Sequence, residues 1–200
     1  MSSGRIITPE NLSRLEAYQL MTSVIVPRPI AWVATRSASG VDNIAPFSFF
    51  SGVSTNPPIV CFSVSNAKGG APKDTLANIR ERRCFSISVV RRGALEKMHA
   101  SSAPFPPELS EFDEVGVDGV ECEVVEALRV AETVAMECVL EDVHEVGGSN
   151  LVFGRVVAWH IPEGLEFEGG VDPDSLDPVG RLGSAYCELG ALTNLPRATT

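Results

Sequence analysis

Hydrophobic and polar residues alternate along much of this chain with the two-residue period of β-strands. The alternation is clearest at residues 84–90, where Ser86 and Ser88 separate apolar side chains. Because successive side chains of a strand point to opposite faces, this segment predicts a strand with one polar face. Runs rich in β-branched and aromatic residues predict further strands at residues 30–36, 43–50, 59–65, 117–125, 133–143 and 151–161.

Helical signals are fewer than strand signals. Thr8 followed by Pro9 has the features of a helix start, and Asp74 can cap a segment whose last turn is basic. The expected helices lie at residues 8–20, 74–83, 93–102 and 186–192. A hairpin turn is expected at residues 145–150, and a long exposed loop at residues 101–114. Many strands without a repeated strand–helix alternation favour a closed antiparallel barrel.

Composition and charge narrow the class of protein. The chain has 200 residues, of which 44% are hydrophobic and 21% charged, as expected of one globular domain. Sixteen Lys and Arg against 26 Asp and Glu give a net charge of -10, which disfavours nucleic acid and anionic membranes as partners. The chain lacks a membrane-spanning apolar run and an apolar leader, and its five cysteines are scattered, so we expect a cytoplasmic protein.

Two segments have the chemistry of an anion site. Lys73, Asp74 and Thr75 stand at a predicted helix start, where free N–H groups, an ammonium and a hydroxyl suit a phosphate. The alternative is an ordinary surface helix capped by Asp74. Ser63 and Ser65 end a predicted strand just before the loop at residues 66–70. That loop contains Lys68 and two glycines, and the sequence supports anion binding and a purely structural role equally.

Other polar residues have weaker signals. Ser48 and Ser51 flank Phe49 and Phe50, where backbone groups suit the polar edge of a planar ring; a buried strand with exposed serines is the alternative. Arg28 lies between two prolines that fix its backbone, so it either reaches a ligand or anchors a subunit interface. The histidines lack metal-ligand spacing and no metal site is expected. His160, at a strand end, is kept as a candidate on the substrate side, and no catalytic side chain is assigned.

Taken in order, these segments resemble the flavin reductase-like family, whose members have the FMN-binding split-barrel fold. The segments that carry the resemblance span most of the chain: Pro27-Arg28-Pro29-Ile30-Ala31, residues 43–50, Asn56-Pro57-Pro58, residues 73–79, Glu111-Phe112, Val146-Gly147-Gly148-Ser149 and residues 176–183. The resemblance implies a mainly β protein, an antiparallel split β-barrel of Greek-key type with a few short helices. It also implies one domain over residues 1–200, with a core at about 20–165 and a C-terminal extension at 166–200 near the flavin and dimer interface.

The same resemblance implies a homodimer that holds FMN near the subunit interface, and it assigns residues to the cofactor. The phosphate would be bound by Ser63, Ser65, Lys68, Lys73, Asp74 and Thr75, with Asn78 nearby. The ring would be lined by Phe47, Ser48, Phe49 and Ser51, approached by Ala31, Trp32 and Val33, and covered by Arg181 and Tyr186, with Arg28 beside it.

The implied activity is NAD(P)H-dependent reduction of FMN, with hydride transfer to the flavin N5 atom. Such chemistry needs no protein nucleophile, which agrees with the lack of an acid–base pair in the sequence. Two alternatives remain: an electron carrier of the flavoredoxin type, with prosthetic FMN and a redox-protein partner, and a dimeric scaffold whose flavin site has decayed. The retention of five residues together argues against decay: Lys73, Asp74, Thr75, Ser48 and Ser63.

Overall fold

The computed structural model describes residues 4–66, 71–167 and 169–195. Seven of its strands are β1 (Ala31–Arg36), β2 (Asp42–Phe47), β3 (Phe50–Thr55), β4 (Pro58–Ser65), β5 (Cys84–Val89), β8 (Ala135–Val146) and β9 (Ser149–His160). Three pairs complete the set: β6 (Gly119–Glu121) with β7 (Leu128–Val130), β10 (Glu166–Phe167) with β11 (Gly170–Val171), and β12 (Val179–Leu182) with β13 (Ala185–Glu188). The α-helices are α1 (Arg14–Val24), α2 (Asp74–Arg82), α3 (Leu95–Ala100), α4 (Glu111–Glu114) and α5 (Pro173–Leu176).

The seven long strands form one antiparallel sheet that curls into a split barrel. Their order is β2-β1-β5-β8-β9-β4-β3, so that β2 and β3 are the two ends of the sheet. Alternate side chains of six strands meet in one core, in which the Phe62 ring lies 5.1 Å from that of Phe47 and 5.5 Å from that of Phe85. Leu76 and Ile79 of α2 close one end of this core. The mainly β antiparallel architecture expected from the sequence is confirmed.

One glycine is required by the close approach of two strands in the core. A Cβ atom at Gly154 of β9 would lie 2.3 Å from the Phe85 ring, a distance that no side chain could accept without movement of the ring or the strand. Gly154 therefore allows a phenylalanine to fill the barrel at this level.

A second apolar cluster covers the outer face of β1. Trp32 is fully buried there and packs with Ile44, Met98 and Phe112. The Trp32 indole N–H donates to Ser101 Oγ at 3.0 Å, which satisfies the polar atom of the ring. This cluster holds α3, α4 and the segment between them against β1 and β2.

A buried carboxylate organises the side of the barrel formed by β8 and β9. Glu137 accepts hydrogen bonds from the backbone N–H groups of Glu123, Val124 and Val125 at 2.8, 2.6 and 2.9 Å, and it also binds His160 Nε2. Burial alone would raise the pKa of Glu137, but the hydrogen bond from His160 and those from the three amides outweigh burial and hold the pKa below its usual value. Glu137 therefore fixes the 123–125 segment to the sheet.

Several element boundaries differ from those that the sequence predicted. The predicted helix at residues 8–20 is wrong at its start: α1 begins at Arg14 because Ser13 and Glu16 form a capping box, and Thr8 precedes only a 3-10 turn. The predicted helix at 186–192 is also wrong, since residues 185–188 form β13.

Other strand and loop predictions were too long. The run at 43–50 is divided at the corner between β2 and β3, and the predicted strand at 117–125 is limited to β6. The predicted turn at 145–150 narrows to Gly147 and Gly148, both with positive φ, as in tight hairpins. In the described residues, none of the helices is long and apolar enough to cross a membrane.

We predict that Glu137→Gln lowers the free energy of unfolding at pH 7 by about 1.5–3 kcal/mol, because it removes the charge that three amides and His160 bind. Because the folded pKa of Glu137 is depressed, its stabilisation is present above the unfolded pKa of about 4.3 and is lost as the pH falls through the folded value. Urea denaturation at several pH values should therefore show that the wild type and Glu137→Gln differ less in their free energy of unfolding as the pH falls. Glu141→Gln, which removes an exposed partner of Arg155, is the control and should cost less than about 1 kcal/mol; equal losses in the two variants would contradict this role.

Candidate functional site

One edge of β2 has no strand of the described residues beside it. β2 pairs with β1 on one side, and on the other side the Ile44 N–H donates to Glu111 Oε2 at 3.2 Å. Backbone groups of a strand alternate in direction, so Pro46 shares the outward orientation of Ile44. Proline has no N–H, so at this position the edge presents only a carbonyl oxygen. The outer edge of β2 therefore carries hydrogen-bonding groups that the sheet does not use.

Two adjoining cavities of about 290 and 200 Å³ follow this edge, and we call them together the β2 groove. Ser102 lines both cavities, and the adjacent β2 residues Ala45 and Pro46 line the first and the second cavity, respectively. The first, the helix end, is lined by Asn43, Ala45, Pro72, Lys73, Asp74, Thr75, Ser101, Ser102, Ala103, Pro104, Phe105 and Glu111. The second, the hairpin end, is lined by Tyr18, Ile30, Pro46, Ser48, Met98, His99, Ser102, Arg181 and Tyr186. Taken together they reach the lower part of the size range of about 300–1,000 Å³ that is typical of ligand sites.

The start of α2 at the helix end is uncapped. Lys73 is the N-cap residue, its side chain makes no capping hydrogen bond, and Asp74 is already the first helical residue. The predicted capping by Asp74 is therefore wrong. Within the described chain the first backbone bonds are those of Leu76 and Ala77 to Lys73 O, which leave the amides of Asp74 and Thr75 without a helical acceptor. Lys73 is exposed, with its Nζ 5.9 Å from the centroid of the Phe47 ring.

A buried polar network lies under the helix end. Thr75 Oγ1 donates to Asn43 Oδ1 at 3.0 Å, and Thr35 Oγ1 donates to the same oxygen at 3.3 Å. Asn78 Nδ2 donates to Thr35 Oγ1 at 3.1 Å, while Asn43 Nδ2 donates to Glu111 Oε1 at 2.8 Å. The side chains of Thr75 and Asn78 are thus engaged inside the protein, where they hold α2 and α4 on β1 and β2.

Acidic groups share the helix end with Lys73. Burial raises the pKa of Glu111, and the charge of Asp74 adds to this rise, while hydrogen bonds to the Glu111 carboxylate from backbone N–H groups and from Asn43 oppose it. An anionic ligand group is therefore favoured only on the outer side, near Lys73 and the α2 amides. Groups that donate hydrogen bonds are favoured near Glu111.

Arg28 holds the hairpin end together. Its side chain is buried, and Nη1 donates to the carbonyl oxygens of Thr22 at 2.8 Å and Ile25 at 3.1 Å, both near the end of α1. Its Nε lies 3.4 Å from Ser48 Oγ, just beyond β2. Its backbone exchanges two hydrogen bonds with Arg181 of β12 at 3.0 and 2.8 Å. One residue thus connects α1, the end of β2 and the C-terminal hairpin.

Aromatic and cationic side chains close the hairpin end. The Arg181 guanidinium carbon lies 4.3 Å from the centroid of the Tyr186 ring, a stacked cation–π contact. Tyr186 Oη lies 2.9 Å from His99 Nδ1, and the two rings meet edge to face. The C-terminal hairpin thus reaches the groove through two residues that the sequence assigned to it.

Several other predicted residues lie outside the groove. Ala31, Trp32 and Val33 of β1 are completely buried, so they support β2 from behind. The register of β3 and β4 places Ser51, Ser63 and Ser65 on the outer face of these strands, around the corner from Ser48. Phe49 is on the same side as Ser51, and its ring centroid lies 6.4 Å from that of Tyr18. His160 is engaged with Glu137, and Lys68 falls outside the described residues. The cofactor roles of these residues stay predictions.

Several groove residues carry no sequence signal that predicts a role in the site. They are Tyr18, Asn43, His99, Ser101, Ser102, Phe105 and Glu111. The predicted loop at 101–114 pointed to part of this wall, although Ser101 is buried and the loop ends in α4. No local pattern identified His99, because its neighbours in the groove come from distant parts of the chain.

The fold and the site can be compared with known proteins. A family model described as the flavin reductase like domain matches residues 21–188. The chain belongs to this family. Similar solved structures include nitrilotriacetate monooxygenase component B from Bacillus cereus, with 32% identity, coverage of 98% of this chain and 100% of that chain, and a TM-score of 0.92.

Two further structures extend the comparison. The 2-nitrobenzoate 2-nitroreductase of Pseudomonas fluorescens has 31% identity, coverage of 98% of this chain and 97% of that one, and a TM-score of 0.88. A flavin reductase-type structure with a split barrel domain from Shewanella frigidimarina has 20% identity, coverage of 98% and 100%, and a TM-score of 0.84. The predicted family and split-barrel fold are confirmed.

We predict that Arg28→Lys loosens the hairpin end without unfolding the barrel. A lysine ammonium cannot reproduce the fork of a guanidinium that donates to α1 and approaches Ser48 at the same time. Amide hydrogen exchange should accelerate about tenfold in α1 and β12, the equivalent of one lost charge-assisted bond, and stay unchanged in β8 and β9. Arg155→Lys, on the exposed surface, is the control. Unaltered exchange in α1 would show that Arg28 does not hold this region.

Proposed function

We propose that this protein binds FMN in the β2 groove and acts as an NAD(P)H-dependent flavin reductase. The observation that carries the proposal is that one groove combines the unused edge of a strand with the uncapped start of α2, in a chain of the flavin reductase-like family. The edge of β2 suits the hydrogen-bonding side of a flat ring. Lys73 and the free amides of α2 suit a phosphate.

The donor set fits this cofactor. Bound flavin supplies the ring atom that accepts a hydride from a nicotinamide. In this chain the carbonyl oxygen of Pro46, at the adjoining part of the hairpin end, and the carboxylate of Glu111 would accept hydrogen bonds from ring N–H groups, and Lys73 would offer a positive charge at the other end of the ligand. The wall at residues 101–105 shields the ring from water, and Arg28 keeps Ser48 in place beside it.

An electron carrier with prosthetic FMN is the competing proposal. The net charge of -10 favours docking to a basic redox protein, which a reductase of free flavin does not need. The two functions differ in their response to reduced nicotinamide, so that one experiment separates them.

We predict that the purified protein is yellow or becomes yellow with added FMN, and that anaerobic NADH or NADPH bleaches the flavin absorbance. A reductase should bleach within seconds at a millimolar concentration of one of the two nucleotides. Bound FMN that resists both nucleotides but is reduced by a redox protein would favour the carrier. A protein that takes up no FMN would contradict both proposals.

We predict that Lys73→Gln weakens FMN binding about tenfold or more, because a charge-assisted contact to phosphate is worth about 1.5–3 kcal/mol. Fluorescence titration with FMN measures this change. Arg83→Gln is the matched control, since it removes an exposed positive charge from the other end of the same helix. An equal dissociation constant in Lys73→Gln and the wild type would exclude Lys73 from the phosphate site. Thr75 is unsuitable for this test because its hydroxyl supports the buried network.

We also propose that a second copy of the chain covers α1. This helix buries only Thr22, whereas Leu15 is 64% and Val24 68% exposed. Apolar surface of this extent is typical of subunit interfaces. Light scattering should give twice the mass of one chain, and Leu15→Asp combined with Val24→Asp should shift the protein towards the monomer. A wild-type protein that is monomeric at micromolar concentration would contradict the dimer.

A further inference from the structure

The hairpin end of the β2 groove is a local positive site in an acidic protein. Its lining within the described residues contains Arg181 and His99 but no Asp or Glu, although the chain carries 26 acidic residues. The helix end contains Asp74 and Glu111. A cavity of about 500 Å³ beside β5 has two acidic side chains in its lining together with two arginines. Of these three cavities, the hairpin end is therefore the one whose described lining holds cationic side chains without a carboxylate.

Arg181 is placed for binding an anion. Its half-buried guanidinium stacks on Tyr186, and no carboxylate of the described residues forms an ion pair with it. Arg36 and Arg92, by contrast, each bind two carboxylates. Stacking fixes the plane of the guanidinium, and its N–H groups form no hydrogen bond with the residues that the structure describes. Such a fixed fork matches the two oxygens of a carboxylate or a phosphate.

Other donors face the same cavity. Ser48 Oγ accepts a hydrogen bond from Arg28 Nε at 3.4 Å, so the Ser48 O–H is available as a donor to a ligand. Tyr186 Oη and His99 Nδ1 share one hydrogen bond at 2.9 Å, which fixes both rings at the rim. The buried charge of Arg28 lies behind Ser48 and adds to the positive potential. A guanidinium, a hydroxyl and an imidazole thus converge on a space of about 200 Å³.

We propose that the hairpin end binds the anionic group of the second substrate, a carboxylate or a phosphate of the molecule that exchanges electrons with bound flavin. The cavity is large enough for such a group and its immediate neighbours. The role of this molecule as a substrate rests on the proposed function, whereas the binding of the anion does not. The flavin phosphate is assigned to the opposite end of the groove, near Lys73, so the two anions are bound at separate places.

Calorimetric titration tests the proposal with two probes, inorganic pyrophosphate and benzoate, each added to the protein with and without FMN. At least one probe should bind the wild type, and Arg181→Gln should weaken its binding about tenfold or more. Arg83→Gln, which removes an exposed arginine elsewhere, should leave the affinity unchanged. Preference for pyrophosphate identifies a nucleotide phosphate as the natural group, and preference for benzoate identifies a carboxylate acceptor.

Three results would overturn the proposal: neither probe binds, Arg181→Gln binds as well as the wild type, or FMN displaces the probe, which would show that the flavin itself occupies the place of the anion. Ser48→Ala is a second variant in case Arg181→Gln loosens the C-terminal hairpin, and it should also weaken binding of the probe at an unchanged melting temperature. Loss of FMN binding with intact anion binding counts against the proposed function alone. Intact FMN binding without anion binding counts against this inference alone.

Discussion

The arrangement of the groove depends on one constraint: among the strands that the structure describes, β2 pairs with a neighbour on one side only. Backbone groups at a free sheet edge must find other partners, or they promote pairing with another chain. Here Glu111 accepts the Ile44 N–H, Pro46 removes a donor, and α2 and α4 flank the strand on either side of the buried network. Where this protection ends, the edge forms the floor of a groove.

Charge divides the groove into two unlike ends. At the helix end a lysine and free helix amides stand beside two carboxylates, so that an anion and a hydrogen-bond donor each have a place there. At the hairpin end the described residues include arginine, histidine and tyrosine but no acidic side chain. An elongated ligand whose phosphate lies at the helix end and whose polar ring extends along β2 to Pro46 and Ser48 fits this groove, and the anionic group of a second molecule fits beside Arg181. Because the chain as a whole carries a net charge of -10, anions are attracted to these local positive groups and not to the rest of the protein.

The sequence predicted those parts of the structure that depend on local patterns. The strands β1, β4, β5, β8 and β9 and the helix α2 follow from two-residue alternation or from helix-start signals. The sequence also directed attention to Lys73, Ser48, Arg181 and Tyr186, which line the groove. It did not distinguish an exposed Thr75 from a buried one, because the partner Asn43 lies 32 residues away.

His99 and Glu111 were missed for the same reason, since their roles depend on contacts with Tyr186 and Asn43. The start of α1 was misplaced although its signal is local: Ser13 and Glu16 form a capping box that outweighs Thr8-Pro9. Long-range packing thus decides which of the polar residues in a motif face a ligand and which support the wall behind it.

In the proposed complex, FMN lies along the free edge of β2, with its phosphate at the start of α2. A crystal structure of the protein grown with FMN tests this most directly. We expect the ring beside Pro46 and Ser48, and a phosphate oxygen within hydrogen-bond distance of Lys73 Nζ and the α2 amides. A flavin bound instead on the outer face of β3 and β4, with its phosphate at Ser63 and Ser65 and no contact to the β2 edge, would contradict it.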